Sequence, residues 1–338
     1  MLNKINVKIT SLIYFILAFI FMLIAAFRGA TRDTQNYKDI YDNVFSYPLT
    51  NFYEYTGMEV GFGVLSYAFN LMNFPFSLFL FLFSFLTFYF LKKTAEILNI
   101  NPVFVLLCYL PVYFVNHQLM QIRQGLAIAL AFYFIIALLA NKNKITAWLL
   151  FGFGFITHNV VGIFLIFFSK QINDFFIKSK ISLLLKILLT VSLIFILCRI
   201  FTSLGLLNFT NRISNYSDSE YSEVRSFLHP ANLRSVVLLL FFYFLRPKKE
   251  NYFFNALILF YSIGVGLRLG FFDFLILSGR ISTLFTFAEI FILPLVLSLR
   301  FSKTSSIILL LFYFFVNLYI GLVYQVPFIF SDYLKPLI

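Results

Sequence analysis

The chain has 338 residues, of which 61% are hydrophobic and only 12% charged, with a net charge of +12 and a mean hydropathy of +0.91. A soluble domain carries about 25% charged residues, and no single protein core could bury this much apolar surface. The composition excludes an ordinary soluble protein and predicts an all-α polytopic integral membrane protein. Both cysteines lie in apolar runs, which give neither a disulfide framework nor a metal-ligand spacing.

The apolar segments predict about 10–11 membrane segments and a single transmembrane domain over residues 1–338. The first apolar segment follows Lys4 and Lys8 and is too long for a signal peptide, so it is predicted to be an uncleaved first helix. Residues 28–74 are predicted to form an outer loop with an interfacial helix over 57–73, and residues 204–230 a second outer loop. The apolar segments are 9–27, 75–91, 102–116, 119–140, 145–169, 181–203, 231–246, 252–270, 280–299 and 305–324.

The positive residues of the short loops predict a broken hairpin within residues 145–169. Such residues mark the cytoplasmic side of a membrane, and simple alternation of the segments leaves one crossing missing between Lys144 and Arg246. Two short limbs that turn at Thr157-His158-Asn159 supply the missing crossing between Lys144 and Arg246. A broken pair is tolerated where protein or a wet cavity surrounds it. The alternative, one straight helix with a buried histidine, stays open.

With this topology the two kinds of basic residue separate, because most lysines face the cytoplasm and most arginines lie on or near the outer side. The planar guanidinium binds phosphate or carboxylate through two parallel hydrogen bonds, which lysine cannot do. The outer face is therefore predicted to bind an anion. The outer arginines are Arg28, Arg32, Arg123, Arg199, Arg212, Arg225, Arg234, Arg268 and Arg280.

The first outer loop carries several candidate site residues. Arg28 and Asp33 are predicted to line the site, the alternative being a snorkelling arginine and a solvated loop. Tyr37 and Tyr41 are one helical turn apart and are predicted to stack on a sugar ring. Glu59 begins the interfacial helix, either as a site carboxylate or as an acid that merely favours the helix N-terminus.

A second group of candidates lies where an apolar helix begins at its outer end. Arg123 and Gln124 are predicted to bind the anion. Gly125 with Ala129 forms a pair of small residues four apart, a pattern typical of close helix packing in membranes, so Arg123 is expected to point into the bundle. The alternative is an ion pair between Arg123 and a carboxylate of the outer side.

His158 is predicted to act as a general base, because its ordinary pKa suits proton transfer near neutral pH; the alternative is hydrogen-bonded packing. His117 and His229 are placed at or beyond the outer edge of the membrane. Arg280 is predicted to open a helix whose first amides and guanidinium hold phosphate together. Glu289 is expected to pair elsewhere in the bundle.

The ordered motifs FRG…RDTQNY, MEVGF, IRQGLAIAL, FITHN and GRIS resemble the EpsG-like family, which belongs to the wider Wzy-type polysaccharide polymerases. The resemblance spans about residues 28 to 299. It implies a fold similar to the GT-C-type glycosyltransferases, and lipid-linked oligosaccharide substrates carried on undecaprenyl diphosphate at the outer face of the bacterial inner membrane. It further implies a metal-independent reaction without a cofactor. A chain-length regulator protein is a candidate partner, and nucleic acid is not one.

These expectations combine into one mechanism and three rivals. The donor diphosphate is predicted to lie between Arg123 and Arg280, assisted by Arg28. His158 removes the proton of the acceptor hydroxyl, with Asp33 and Glu59 as alternative bases. The rivals are a transporter or flippase of lipid-linked sugars, an O-antigen ligase or an acyl-transfer enzyme of the envelope, and a structural membrane protein. The last would explain neither the outer arginines nor the histidine break.

Overall fold

The computed structural model describes residues 2–168, 180–204 and 226–337, and every regular element within these ranges is a helix. Turns of 3-10 and π-helix join or extend the α-helices at several points. The α-helices are α1 Leu2–Ala26, α2 Thr34–Asp42, α3 Phe52–Thr56, α4 Val60–Leu71, α5 Phe76–Ile97, α6 Pro102–Tyr109, α7 Ile122–Leu139, α8 Lys144–Thr157, α9 Leu183–Ser203, α10 Pro230–Phe244, α11 Tyr252–Gly270, α12 Leu275–Thr286, α13 Glu289–Arg300, α14 Lys303–Ile320 and α15 Ile329–Leu334.

Within the described ranges, eight helical stretches are long and apolar enough to cross a membrane. Three shorter apolar helices accompany them: α4, α8 and α10. The predicted all-α polytopic membrane fold is therefore confirmed. The eight stretches are Ile9–Ala26, Phe76–Ile97, Pro102–Met120, Ile122–Leu139, Leu183–Ser203, Tyr252–Gly270, Ser278–Arg300 and Lys303–Gln325.

The chain forms two compact units. The first unit comprises Met1–Leu165 and Phe301–Ile338, and the second comprises Ile166–Arg300. The single domain predicted for residues 1–338 stays a prediction. Most of the predicted loop 204–230, with Arg212 and Arg225, lies outside the described residues.

Helix α7 is largely buried in the first unit, and α8 packs against it in the antiparallel direction. Near the C-terminal end of α7, Phe134 packs against Trp148 and Phe151 of α8, with ring centroids 4.7 and 4.5 Å apart. Nearer its N-terminal end, Leu130 faces Gly154, where an added Cβ would lie 3.3 Å from the leucine Cβ. This close approach depends on Gly154 of α8. On α7 itself, an added Cβ on Gly125 would lie 2.7 Å from the Cβ of His117, which agrees with the close packing predicted at Gly125.

The chain reverses direction at His158, as the hairpin prediction requires. Helix α8 ends at Thr157, His158 is extended with φ −157° and ψ 104°, and a 3-10 helix begins at Asn159. The ring of Phe164 in this second limb packs 5.7 Å from that of Phe132, back towards the middle of α7. One straight helix over residues 145–169 would carry Phe164 away from α7, so that alternative is excluded.

Helix α4 rests directly on the last turn of α8. It corresponds to the helix predicted over residues 57–73, and Glu59 immediately precedes it as its N-cap residue. A Cβ on Gly61 would lie 2.6 Å from the carbonyl oxygen of Ile156 and 3.0 Å from the amide nitrogen of Thr157. Only glycine permits this backbone contact, which sets the start of α4 beside the hairpin turn.

Gly61→Ala is expected to lower the melting temperature by roughly 2–12 °C, because the added methyl group forces α4 away from α8. Overpacking of this kind costs about 1–3 kcal/mol, and a unit of this size loses about 2–4 °C per kcal/mol. Gly152→Ala is the matched control, because no described atom lies within 4 Å of its added Cβ. Thermal unfolding of both variants in detergent tests the contact, and equal melting temperatures would contradict it.

Candidate functional site

One carboxylate joins three segments of the first unit. Glu59 Oε2 accepts a hydrogen bond from Nη1 of Arg123, and Oε1 lies 2.9 Å from Nδ1 of His158. The backbone N–H of Asn159 approaches Oε1 at 3.4 Å. The three side chains are only 10–18% exposed. Ionisable groups buried in a membrane protein usually mark a working site.

The environment of Glu59 keeps this carboxyl ionised. Burial opposes ionisation, but the hydrogen bond from His158 and the charge of Arg123 outweigh it and hold the pKa of Glu59 below its ordinary value. Of the two tautomers of a neutral imidazole, a carboxylate at Nδ1 favours the one that carries its proton on Nδ1. The other ring nitrogen of His158, Nε2, then has a lone pair with which it can accept a proton.

Tyr37 lies near two arginines of the site. Its ring lies 5.5 Å from Cζ of Arg123 and 6.0 Å from Cζ of Arg28, and the ring of Phe62 lies 5.3 Å away. Burial raises the pKa of the Tyr37 hydroxyl, which is therefore neutral at physiological pH. The electron-rich ring stabilises both guanidinium groups without neutralising either.

The sugar-stacking role predicted for Tyr37 and Tyr41 does not agree with the structure. The side chains are 1% and 3% exposed, because both lie on the buried face of α2. Tyr41 packs against Phe76 and Phe79 and donates a hydrogen bond to the carbonyl of Phe74. Neither ring offers an open face to a sugar.

Arg28 is a buried cation with unused donors. It is 2% exposed, and its Nη1 donates to the carbonyl of Gln118. Its Nε and Nη2 meet no hydrogen-bond acceptor among the described residues. Burial lowers the pKa of Arg28 to about 10, so the group remains charged at neutral pH. The snorkelling alternative is therefore wrong, and the arrangement favours an anion at Arg28.

Asp33 lies at the edge of this arrangement. It is exposed, precedes α2 with φ 58°, and makes no side-chain capping bond. Its charge raises the pKa of Arg28 against the effect of burial, which places the two groups near each other. The predicted catalytic role of Asp33 stays a prediction.

His117 and Gln118 belong to the same buried region and were missed as site residues. The side chain of His117 is 1% exposed within the π-helical stretch Leu110–Met120, and its predicted place at the outer edge of the membrane stays a prediction. Its ring packs 5.4 Å from Tyr113. Wide π-helical turns occur frequently at functional sites. The polar run Asn116-His117-Gln118 within an apolar stretch was the available sequence signal.

The second unit contains Arg280 and a buried ion pair. Arg280 is exposed and lies within α12, which begins at Leu275, so the prediction that Arg280 opens a helix is wrong. Arg234 Nη2 donates to Glu289 Oε1 at 2.7 Å, which confirms that Glu289 pairs elsewhere in the bundle. The predicted phosphate contacts of Arg280 and of Gln124, which is buried on α7, stay predictions.

Among known proteins, a family model described as the EpsG family matches residues 11–336, nearly the whole chain. No curated protein sequence and no solved structure matches the chain. Among the described residues, no group of three or more histidine, cysteine, aspartate or glutamate side chains is placed to hold a metal ion. The implied likeness to GT-C-type glycosyltransferases stays a prediction.

Proposed function

The chain belongs to the EpsG family, and we propose that it polymerises undecaprenyl-diphosphate-linked oligosaccharide repeat units at the outer face of the bacterial inner membrane. The family implies a polysaccharide-polymerase-like membrane protein, and the eight apolar helical stretches of the described residues agree with a multi-pass protein. The single observation that carries the proposed chemistry is the Glu59 carboxylate that bridges Arg123 and His158.

In the proposed reaction, His158 removes a proton from the attacking hydroxyl. The acceptor oxygen forms a bond to the anomeric carbon of the donor sugar, and the bond from that carbon to the diphosphate breaks. The electron pair leaves with undecaprenyl diphosphate, and the proton passes to Nε2 of His158. General-base catalysis of this kind contributes about 10²–10⁴-fold.

Glu59 and Arg123 support the base in this proposal. Glu59 orients the imidazole through Nδ1 and stabilises the imidazolium that forms when His158 accepts the proton. Arg123 holds Glu59 ionised and in place. Arg123 therefore acts as a positioning residue, and the ion-pair alternative takes precedence over the predicted diphosphate clamp.

Arg28 is the proposed contact for the departing diphosphate. Its Nε and Nη2, without acceptors among the described residues, can donate to the phosphate oxygens on which negative charge develops. A buried, fixed guanidinium stabilises that charge more effectively than one in water.

Arg28→Ala is expected to raise KM for the lipid-linked donor about 10–150-fold, because a hydrogen bond to a charged group contributes about 1.5–3 kcal/mol. Arg28→Lys should recover only part of this loss, since lysine lacks the fork of donors. Lys38→Ala is the control, because Lys38 forms a surface ion pair with Asp42. Elongation by protein in liposomes, measured against donor concentration, provides the test. An unchanged KM in both Arg28 variants would contradict the assignment.

Reconstitution also separates the proposed polymerase from its rivals. Purified protein in liposomes with lipid-linked repeat units should produce a ladder of longer chains. Movement of the units across the bilayer without elongation would instead identify a transporter or flippase. Transfer of finished chains to a different acceptor, without elongation, would identify a ligase.

A further inference from the structure

The loop that carries Arg28 is bonded to a segment from the far end of the sequence. The N–H of Gly29 donates to the carbonyl of Tyr333 at 3.0 Å, and the N–H of Ala30 donates to that of Lys335 at 2.9 Å. The hydroxyl of Tyr333 donates to the carbonyl of Ile24 at 3.0 Å, in the last turn of α1. Residues 326–335 therefore hold the chain on both sides of Arg28.

This contact leaves no space for a side chain beside Arg28. A Cβ on Gly29 would overlap the carbonyl oxygens of Tyr333 and Lys335. Glycine is required there because the two backbones approach closely. Its φ is not in the left-handed region, so the backbone conformation alone would not require glycine. The guanidinium of Arg32 lies 5.1 Å over the ring of Phe328 and adds a second contact with the same segment.

Arg28 depends on such contacts because it lies outside regular structure. Helix α1 ends at Ala26 and α2 begins at Thr34. On one side, Nη1 of Arg28 and the hydroxyl of Thr31 donate to the carbonyls of Gln118 and Leu119. Residues 326–335 bind the same loop at Gly29 and Ala30, so two elements distant in sequence hold the loop.

We propose that residues 326–335 are a positioning element that aims the free donors of Arg28 at the diphosphate of the lipid-linked substrate. This inference rests on the proposed function, since it requires that Arg28 binds the diphosphate. The segment itself does not contact substrate. Preorganised donors bind an anion without the entropic cost of ordering a loop, so weakening the contact should reduce affinity before it reduces the chemical step.

Two variants of the full chain test the contact. Gly29→Ala removes the space at the backbone pairing, and Tyr333→Phe removes one hydrogen bond while it keeps the ring. Tyr324→Phe is the control, because Tyr324 is 66% exposed and lies just before residues 326–335. Binding of undecaprenyl diphosphate to protein in nanodiscs is the direct measurement, with inorganic pyrophosphate as competitor. Elongation kinetics and thermal unfolding accompany it.

We expect Kd for undecaprenyl diphosphate to rise about 10-fold or more in Gly29→Ala and about 2–10-fold in Tyr333→Phe, the usual range for one neutral hydrogen bond. KM should rise in parallel while kcat stays within about 2-fold, which a general loss of folded protein would not produce. If Gly29→Ala fails to fold, Tyr333→Phe carries the test.

The outcomes distinguish this inference from the proposed function. Wild-type binding in Tyr333→Phe and Gly29→Ala, together with lost binding in Arg28→Ala, would overturn the positioning role and leave the proposed function standing. Wild-type binding in Arg28→Ala would overturn the diphosphate role of Arg28 itself. A fall in kcat with unchanged Kd would also overturn the positioning role.

Discussion

Glu59→Gln is expected to lower the rate of chain elongation about 10²–10⁴-fold at saturating substrate, with the melting temperature measured in parallel. Glutamine keeps the size of the side chain but loses the charge that stabilises the His158 imidazolium and fixes its tautomer. His158→Ala should lose a similar factor, because the base itself is removed. The measurement is the initial rate of polymer formation in liposomes.

The control for this prediction is Glu54→Gln. Glu54 is exposed, belongs to the same loop, and accepts a hydrogen bond from Asn51 at 3.0 Å. Because this pair lies on the surface, its loss should leave the rate within about 2-fold. The combined Glu59→Gln and His158→Ala variant should lose no more than His158→Ala, since the carboxylate acts through the imidazole. Full activity in either single variant would remove the pair from the mechanism.

The helices and the hairpin could be predicted from the sequence because their signals are local. Long apolar segments define the membrane helices, and the lysines of short loops count the crossings. The break at His158 followed from that count even though residues 145–169 read as one apolar run. The contact of Phe164 with Phe132 then shows the reversal directly.

The pairing inside the site could not be predicted, because it joins residues far apart in the sequence. Glu59 lies 64 residues from Arg123 and 99 from His158. Sequence spacing gave each of them a separate role, and it left the choice between anion clamp and ion pair open for Arg123. Which arginine has a carboxylate within reach depends on the contact of α4 with α8, and that contact is made possible by a single glycine, Gly61.

The structure favours Arg28 over Arg123 as the residue that binds an anion, although the sequence favoured Arg123. In the sequence both are arginines at the outer end of an apolar helix, and Arg123 has the more regular surroundings. In the structure the charge of Arg123 is balanced by Glu59, whereas Nη1 of Arg28 donates to a neutral carbonyl. Nε and Nη2 of Arg28 are buried and meet no hydrogen-bond acceptor among the described residues, so a negatively charged ligand would gain more from Arg28 than from Arg123. Anion binding is therefore proposed at Arg28 from its unused donors and not from the motif.

Arg123→Ala is expected to be strongly destabilising, because it leaves the Glu59 carboxylate buried beside only a histidine. Removing one partner of a buried ion pair costs about 3–5 kcal/mol, and both side chains here are at most 15% exposed. For a unit of this size the melting temperature should fall by roughly 6–20 °C. The double variant Arg123→Gln with Glu59→Gln should melt above Arg123→Ala, since no charge is left without a partner, yet it should remain inactive in elongation.

The pH dependence of unfolding tests this prediction, because the melting temperature of Arg123→Ala should change with pH in a definite direction relative to wild type. In the wild type the pKa of Glu59 is lowered, so the ion pair stabilises the fold at neutral pH and this contribution is lost as pH falls through that lowered pKa. In Arg123→Ala the positive charge of Arg123 no longer opposes the effect of burial on Glu59, and protonation of the buried carboxyl becomes favourable at a higher pH. Its melting temperature should therefore rise relative to wild type as pH is lowered from 7 towards 5. Two results together would contradict this prediction: a double variant no more stable than Arg123→Ala, and a melting temperature of Arg123→Ala that does not rise relative to wild type at low pH. They would show that Arg123 stabilises the fold by packing and not by its charge.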